Sequence, residues 1–281
     1  MKKHIVLAVA LAGGLFLAQS EAKAQGAYVK LGGAYNFGVA SERNYNETAT
    51  QTNSQTGSTY NVSYEKVNVN YGKGITAGGT VGYMFNEHVG AELGIGYLIG
   101  GKNELKDIRT NNGNSESYES EVSSRMLLLQ PALVISAGME GINPYARLGL
   151  VAAKGSVTGT DINMGDGDKY EQETKLSGGW GLGLQAGLGV EFKMSDNMAF
   201  FSEVTMNNLS YSPDKAEVTK ASYNGKDVLG EFTTNDKETE FVDDYSFNSN
   251  DQPSDSEPDK SSKFNMPFSS VGVGVGIKFN F

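Results

Sequence analysis

Apolar residues alternate with small or polar ones along this chain at a period of two, the period of a β-strand whose two faces meet different surroundings. The strongest run is Gly179 to Phe192. There Trp180, Leu182, Leu184, Ala186, Leu188, Val190 and Phe192 share one face, and Gly181, Gly183, Gln185, Gly187, Gly189 and Glu191 share the other. Val271 to Phe281 repeats the pattern, with Val271, Val273, Val275, Ile277, Phe279 and Phe281 opposing Gly272, Gly274, Gly276, Lys278 and Asn280. Ala27 to Phe37, Ile75 to Phe85, Val89 to Ile99 and Tyr145 to Ala153 alternate less cleanly. In Arg125 to Ser136 the run Met126-Leu127-Leu128-Leu129 is apolar on both faces, and the reading favoured puts Leu127, Leu129, Leu133 and Ile135 outward with Gln130 inward. Phe200 to Tyr211 sets Phe200, Val204 and Met206 against Phe201, Glu203, Thr205 and Asn207.

That makes eight segments of about the length a tilted strand needs to cross a bilayer,. No apolar stretch after Ala24 is long enough for a membrane helix, so a membrane-spanning chain of this kind must close into a barrel,. The connections alternate in length. Asn86-Glu87-His88, residues 137–143 and residues 194–197 are short, whereas residues 38–74, 100–124, 154–177 and 212–266 are long. Short periplasmic turns and long extracellular loops have this order in outer-membrane barrels. The expectation is an all-β, antiparallel up-and-down barrel of eight strands with both termini in the periplasm. Asn224-Gly225 inside the last loop is a two-residue hairpin signal whose flanks lack a membrane-length apolar face, so it predicts an extramembrane hairpin,.

The first residues read as a separate unit. Lys2 and Lys3, an apolar run from Ile5 to Ala18 and the small-x-small triplet Ala22-Lys23-Ala24 make residues 1–24 a signal peptide cleaved after Ala24, with residues 25–281 as the barrel domain,. The apolar run falls short of the ~20 residues of a membrane helix.

Composition narrows the function. With 36 glycines, 14 tyrosines and 13 phenylalanines against 6 prolines, the chain suits many strands joined by polar loops,. The absence of cysteine removes disulfides and cysteine-based metal sites,. A formal charge of -10 argues against nucleic acid as a partner, because phosphate binding needs a basic surface,.

Candidate chemistry is sparse. Gly179, Gly181 and Gly183 sit at strand period rather than between a strand and a helix, so they keep a narrow lumen from overfilling instead of cradling a phosphate,. Lys30, Glu92, Arg147, Glu191, Glu203 and Lys278 all point inward near the short-turn end, three of each sign, and are expected to pair as a structural plug,. After Ala24 the chain has a single histidine, His88, in a short turn, which disfavours a Ser-His-Asp hydrolase or a histidine-dependent acyltransferase,. Asp161, Asp166 and Asp168 resemble hard-cation ligands, but the spacing misses the EF-hand pattern and a solvated acidic loop is favoured,. Tyr35, Tyr83, Phe85, Trp180, Phe192 and Phe279 read as interfacial girdle residues,. No cofactor is implied.

Taken together, these features resemble the small bacterial outer-membrane β-barrel proteins, the broad group that includes the OmpA barrel and the OmpX-like and OmpW-like proteins. The resemblance implies lodging in the outer membrane among lipid and lipopolysaccharide, with Phe281 as the signal read by the barrel-insertion machinery. It also implies a choice of roles: surface interaction or membrane integrity through the loops, which is favoured; a narrow channel for small or apolar solutes; or a lipid-modifying enzyme, which is disfavoured.

Overall fold

The computed structural model describes residues 26–39, 42–51, 60–111, 114–246 and 254–281; the leader and its cleavage residue Ala24 lie outside them. Eight long strands form the barrel: β1 (Gly26–Gly38), β2 (Gly74–Met84), β3 (Val89–Gly100), β4 (Asn114–Ser136), β5 (Ile142–Gly165), β6 (Asp168–Lys193), β7 (Met198–Tyr211) and β8 (Ser270–Asn280). Each pairs antiparallel with its sequence neighbour, and β8 pairs with β1, which closes the ring. All eight coincide with the alternating segments of the sequence. Among the described residues no helix is long and apolar enough to cross a membrane.

The register satisfies the alternation everywhere. Leu127, Leu129, Leu133 and Ile135 are exposed on the outside of β4 while Met126, Leu128 and Val134 are buried inside, as the reading of that double-sided run required. Leu182, Leu184, Leu188, Leu148, Leu150, Val273 and Val275 complete an exposed apolar belt. A contiguous belt of this size would aggregate in water and is the surface a barrel turns to lipid. Aromatic residues bound the belt at two levels. Tyr35, Phe37 and Trp180 lie toward the long-loop end, and Tyr83, Phe85, Phe192, Phe200 and Phe279 toward the short-turn end, with ring contacts Tyr35–Phe37 at 4.9 Å and Phe192–Phe200 at 6.2 Å.

The long connections 100–124 and 154–177 are largely strand: β4, β5 and β6 run 23, 24 and 26 residues, far beyond the ~9–11 a crossing needs,. They rise past the bilayer as a sheet, widened on one edge by Asn103–Asn111, Glu42–Gln51 and Tyr60–Val69 and on the other by Lys215–Tyr223, Glu238–Val242 and Asp259–Ser262. The 154–177 connection narrows to a turn at Asp166 and Gly167, both at positive φ. Lys215–Tyr223 and Lys226–Asp227 form the hairpin predicted around Asn224 (φ 49°) and Gly225 (φ 79°), the backbone that an Asn-Gly type I′ turn supplies,.

Candidate functional site: the barrel interior

The interior is stacked in three levels. At the short-turn end all six predicted charges meet. Lys30 Nζ lies 2.7 Å from Glu92 and 3.4 Å from Glu191, Lys278 Nζ donates to Glu191 at 2.9 Å, and Arg147 sits 3.6 Å from Glu92 and 3.0 Å from Glu203. Register explains the arrangement. Lys30 and Lys278 are directly opposed on β1 and β8, a pairing that is repulsive alone, and Glu191 bridges both,. Formal charge cancels, and the Glu92 carboxylate, fully enclosed, takes a further hydrogen bond from Tyr28 Oη at 2.9 Å.

Aromatic rings complete this level. Lys30 Nζ stands 4.2 Å from the centre of the Tyr145 ring and Lys278 Nζ 4.2 Å from that of Tyr28, so each ammonium gains a ring face as well as a carboxylate,. Room for the rings comes from cross-strand glycines. Tyr28 is opposed to Gly82, Tyr145 to Gly189 and Phe201 to Gly276, and a methyl group on these glycines would come within 2.3, 2.4 and 2.6 Å of the facing ring. The inward glycines thus act as sockets for large side chains.

Above the charges lies a cavity of about 110 Å³, its mixed wall including the polar side chains of Asn36, Thr76, Thr80, Gln130, Gln185 and Asn207, large enough for a few waters,. Above that again the lumen turns apolar. Leu98, Met126, Leu128, Val151, Ala153, Val157, Leu209, Tyr211, Met266 and Phe268 form one buried cluster, with Tyr71 packed against it. Phe268 is 1% exposed and holds its ring 5.7 Å from Tyr71 and 5.8 Å from Tyr211.

Asn70 ties this apolar level together. Its side-chain amide donates to Val39 O at 2.8 Å and Ser269 O at 2.9 Å, its Oδ1 accepts from Gly72 N and Lys73 N, and it exchanges bonds with Asn103. The Asn70 side chain thus joins the first and last long connections, and its backbone N–H and C=O bind the Asn103 side chain of a third. Sequence reasoning missed Asn70, Tyr145 and the apolar level. The last had a signal, since an apolar inner face at Met126 and Leu128 implies apolar partners across the lumen.

The remaining predicted residues are dispersed. Asp161 lies on the lumen-side face of the extension and accepts from Tyr118 Oη at 2.7 Å, Asp166 occupies the turn, and Asp168 accepts from Asn224 Nδ2 at 2.8 Å. Among the described residues no group of three His, Asp or Glu side chains is placed to hold a metal. His88 Nδ1 lies 3.2 Å from the backbone carbonyl of Ser136. Phe281 is 81% exposed, with its amide donating to Ala27 O.

This ring of strands, apolar outside and filled inside, has the build of an outer-membrane barrel, and the family model agrees. The chain belongs to the outer membrane protein beta-barrel domain family, whose model matches residues 7–236 and stops short of the closing strand β8. Among solved structures it is similar to the outer membrane protein OprG from Pseudomonas aeruginosa, at 14% identity over 91% of this chain and 96% of that one, with a TM-score of 0.40. No curated protein matches.

Proposed function

We propose that this protein is a closed, non-catalytic barrel of the outer membrane that acts in surface interaction or membrane integrity. In this reading the short turns and both termini face the periplasm, residues 1–24 are a cleaved leader, and the sheet extension stands on the cell surface. The carrying observation is the lumen, which is filled at one end by a neutral six-charge network and at the other by an apolar cluster around Phe268. An eight-stranded interior is narrow enough for side chains to close, and here they occupy both ends,. His88, bonded in a turn to Ser136 O, has no nucleophile role in this reading.

Liposome swelling tests it. Proteoliposomes of the refolded protein should swell in glycine or arabinose no faster than protein-free liposomes. Rapid swelling that scales with protein content would overturn the closed-barrel reading in favour of a narrow channel.

A further inference from the structure

Where β4, β5 and β6 rise above the barrel, their lumen-side face carries a second pocket, of about 480 Å³. Direct cross-strand partners share a face. The pairs Asp107–Tyr118, Tyr118–Asn163, Asn163–Tyr170 and Tyr170–Tyr223 therefore form one row across five strands. The adjoining row holds Arg109 opposite Glu116 and Gly165 opposite Asp168.

The tyrosines are held in place. Tyr118 Oη donates to Asp161 at 2.7 Å, and Tyr170 Oη donates at 2.7 Å to Gln172, two residues along its own strand. Both rings line the pocket. Tyr118 and Tyr170 stand two strands apart, about 10 Å, on either side of the Asn163 amide,. Gly165 leaves a notch beside Glu116 and Asp168. Hydrogen bonds from Tyr223 and Asn224 hold the Asp168 carboxyl below the usual carboxylate range, so it is an acceptor at neutral pH. Arg109, the one cation lining the pocket among the described residues, is engaged by Glu47 at 3.4 Å.

We propose that this pocket binds a neutral oligosaccharide, stacking sugar C–H faces on Tyr118, Tyr170 and Tyr223 and accepting sugar hydroxyls at Asp168, Glu116 and the Asn163 amide. Its volume lies in the range of small-ligand sites, and its lining combines apolar rings with a few fixed polar groups. Three carboxylates against one paired arginine exclude sialylated or sulfated glycans. The inference gives a ligand class to the surface-interaction reading and rests on it.

Saturation-transfer NMR on the full refolded barrel tests this with maltotetraose, cellotetraose and tetra-N-acetylchitotetraose as neutral probes and 3′-sialyllactose as the anionic one. At least one neutral tetrasaccharide should receive saturation at its ring C–H protons, and Tyr170→Ala should weaken that binding at least tenfold. Gly165→Leu fills the notch and removes no side-chain hydrogen bond, and the nearest neighbours of its Cβ are atoms of the flexible Glu116 side chain, so it should weaken binding equally in a barrel with unchanged heat-modifiable mobility. Silence from all three neutral probes, equal binding of the sialylated probe, or undiminished binding in Gly165→Leu would each overturn the proposal. Failure here leaves the swelling result untouched, whereas sugar binding by a barrel that also swells liposomes would overturn only the closed-lumen reading.

Discussion

The two ends of the barrel interior are sealed by opposite chemistry and by residues of different origin. At the short-turn end every sealing side chain, from Lys30 to Lys278, belongs to a barrel strand, so the charge network exists whenever the barrel does. At the long-loop end the strands supply Met126, Leu128 and Tyr211, but Tyr71 and Phe268 come from connections folded inward and latched by Asn70. The first seal should be lost only with global unfolding. The second can open by movement of two short segments while the ring stays intact.

The charged end should show the larger energetic effect. Arg147→Ala leaves Glu92 short of a cation and Glu203 with none, and breaking a buried pair from one side costs about 3–5 kcal/mol,. Denaturant unfolding in lipid should show that loss, with Glu203→Gln on the same background recovering part of it. Glu191→Gln should recover nothing, because Glu191 serves the two lysines instead. Equal recovery by both would mean that the network is not specific.

Phe268→Ala should act differently. Truncating a buried phenylalanine costs about 3–5 kcal/mol where the whole fold feels it. Here the expected readout is local: faster hydrogen exchange at the Tyr71 and Phe268 amides, which bond to Pro267 O and Leu209 O, with little change in the barrel's unfolding midpoint. A midpoint shift as large as that of Arg147→Ala would erase the contrast between the two ends.

Gly189→Ala sharpens the role of the sockets. The added methyl would meet the Tyr145 ring at 2.4 Å, and overpacking of this kind costs about 1–3 kcal/mol,. The same change at Gly167, in the open turn of the extension, meets nothing and should cost only the backbone strain of its positive φ,.

The smallest expected effect is a pH dependence of the extension. Hydrogen bonds from Lys220 and then Thr219 hold the Glu173 carboxyl below the ordinary carboxylate value of 4.5. A depressed folded-state value means that this contribution is complete above the ordinary value and is lost as pH falls through the lower one. Exchange protection along Lys215–Tyr223 should therefore decline below about pH 4.5 while the barrel amides stay protected,. Glu173→Gln should abolish the difference.

The barrel was legible because lipid on one side and a narrow lumen on the other impose two chemistries on alternate residues, as in Trp180 to Phe192. The inward charges were legible for the same reason: Glu191 and Lys278 interrupt otherwise glycine-rich faces. The extension was not, since water bathes both faces of a segment such as Asp161 to Thr174, and a polar strand there looks like a polar loop. Phe268 and Asn70 were hidden because their partners are set by how distant connections fold back into the mouth. That information lies in no local period.

The central claim, that two independent seals stand in series, is tested most directly by single-channel recording in planar bilayers. The native protein, Phe268→Ala alone, and Arg147→Ala with Glu203→Gln alone should show no stable conductance, and the combination of all three substitutions should open a pore. A reproducible open level in the native protein, or a full pore from either seal removed alone, would contradict the account.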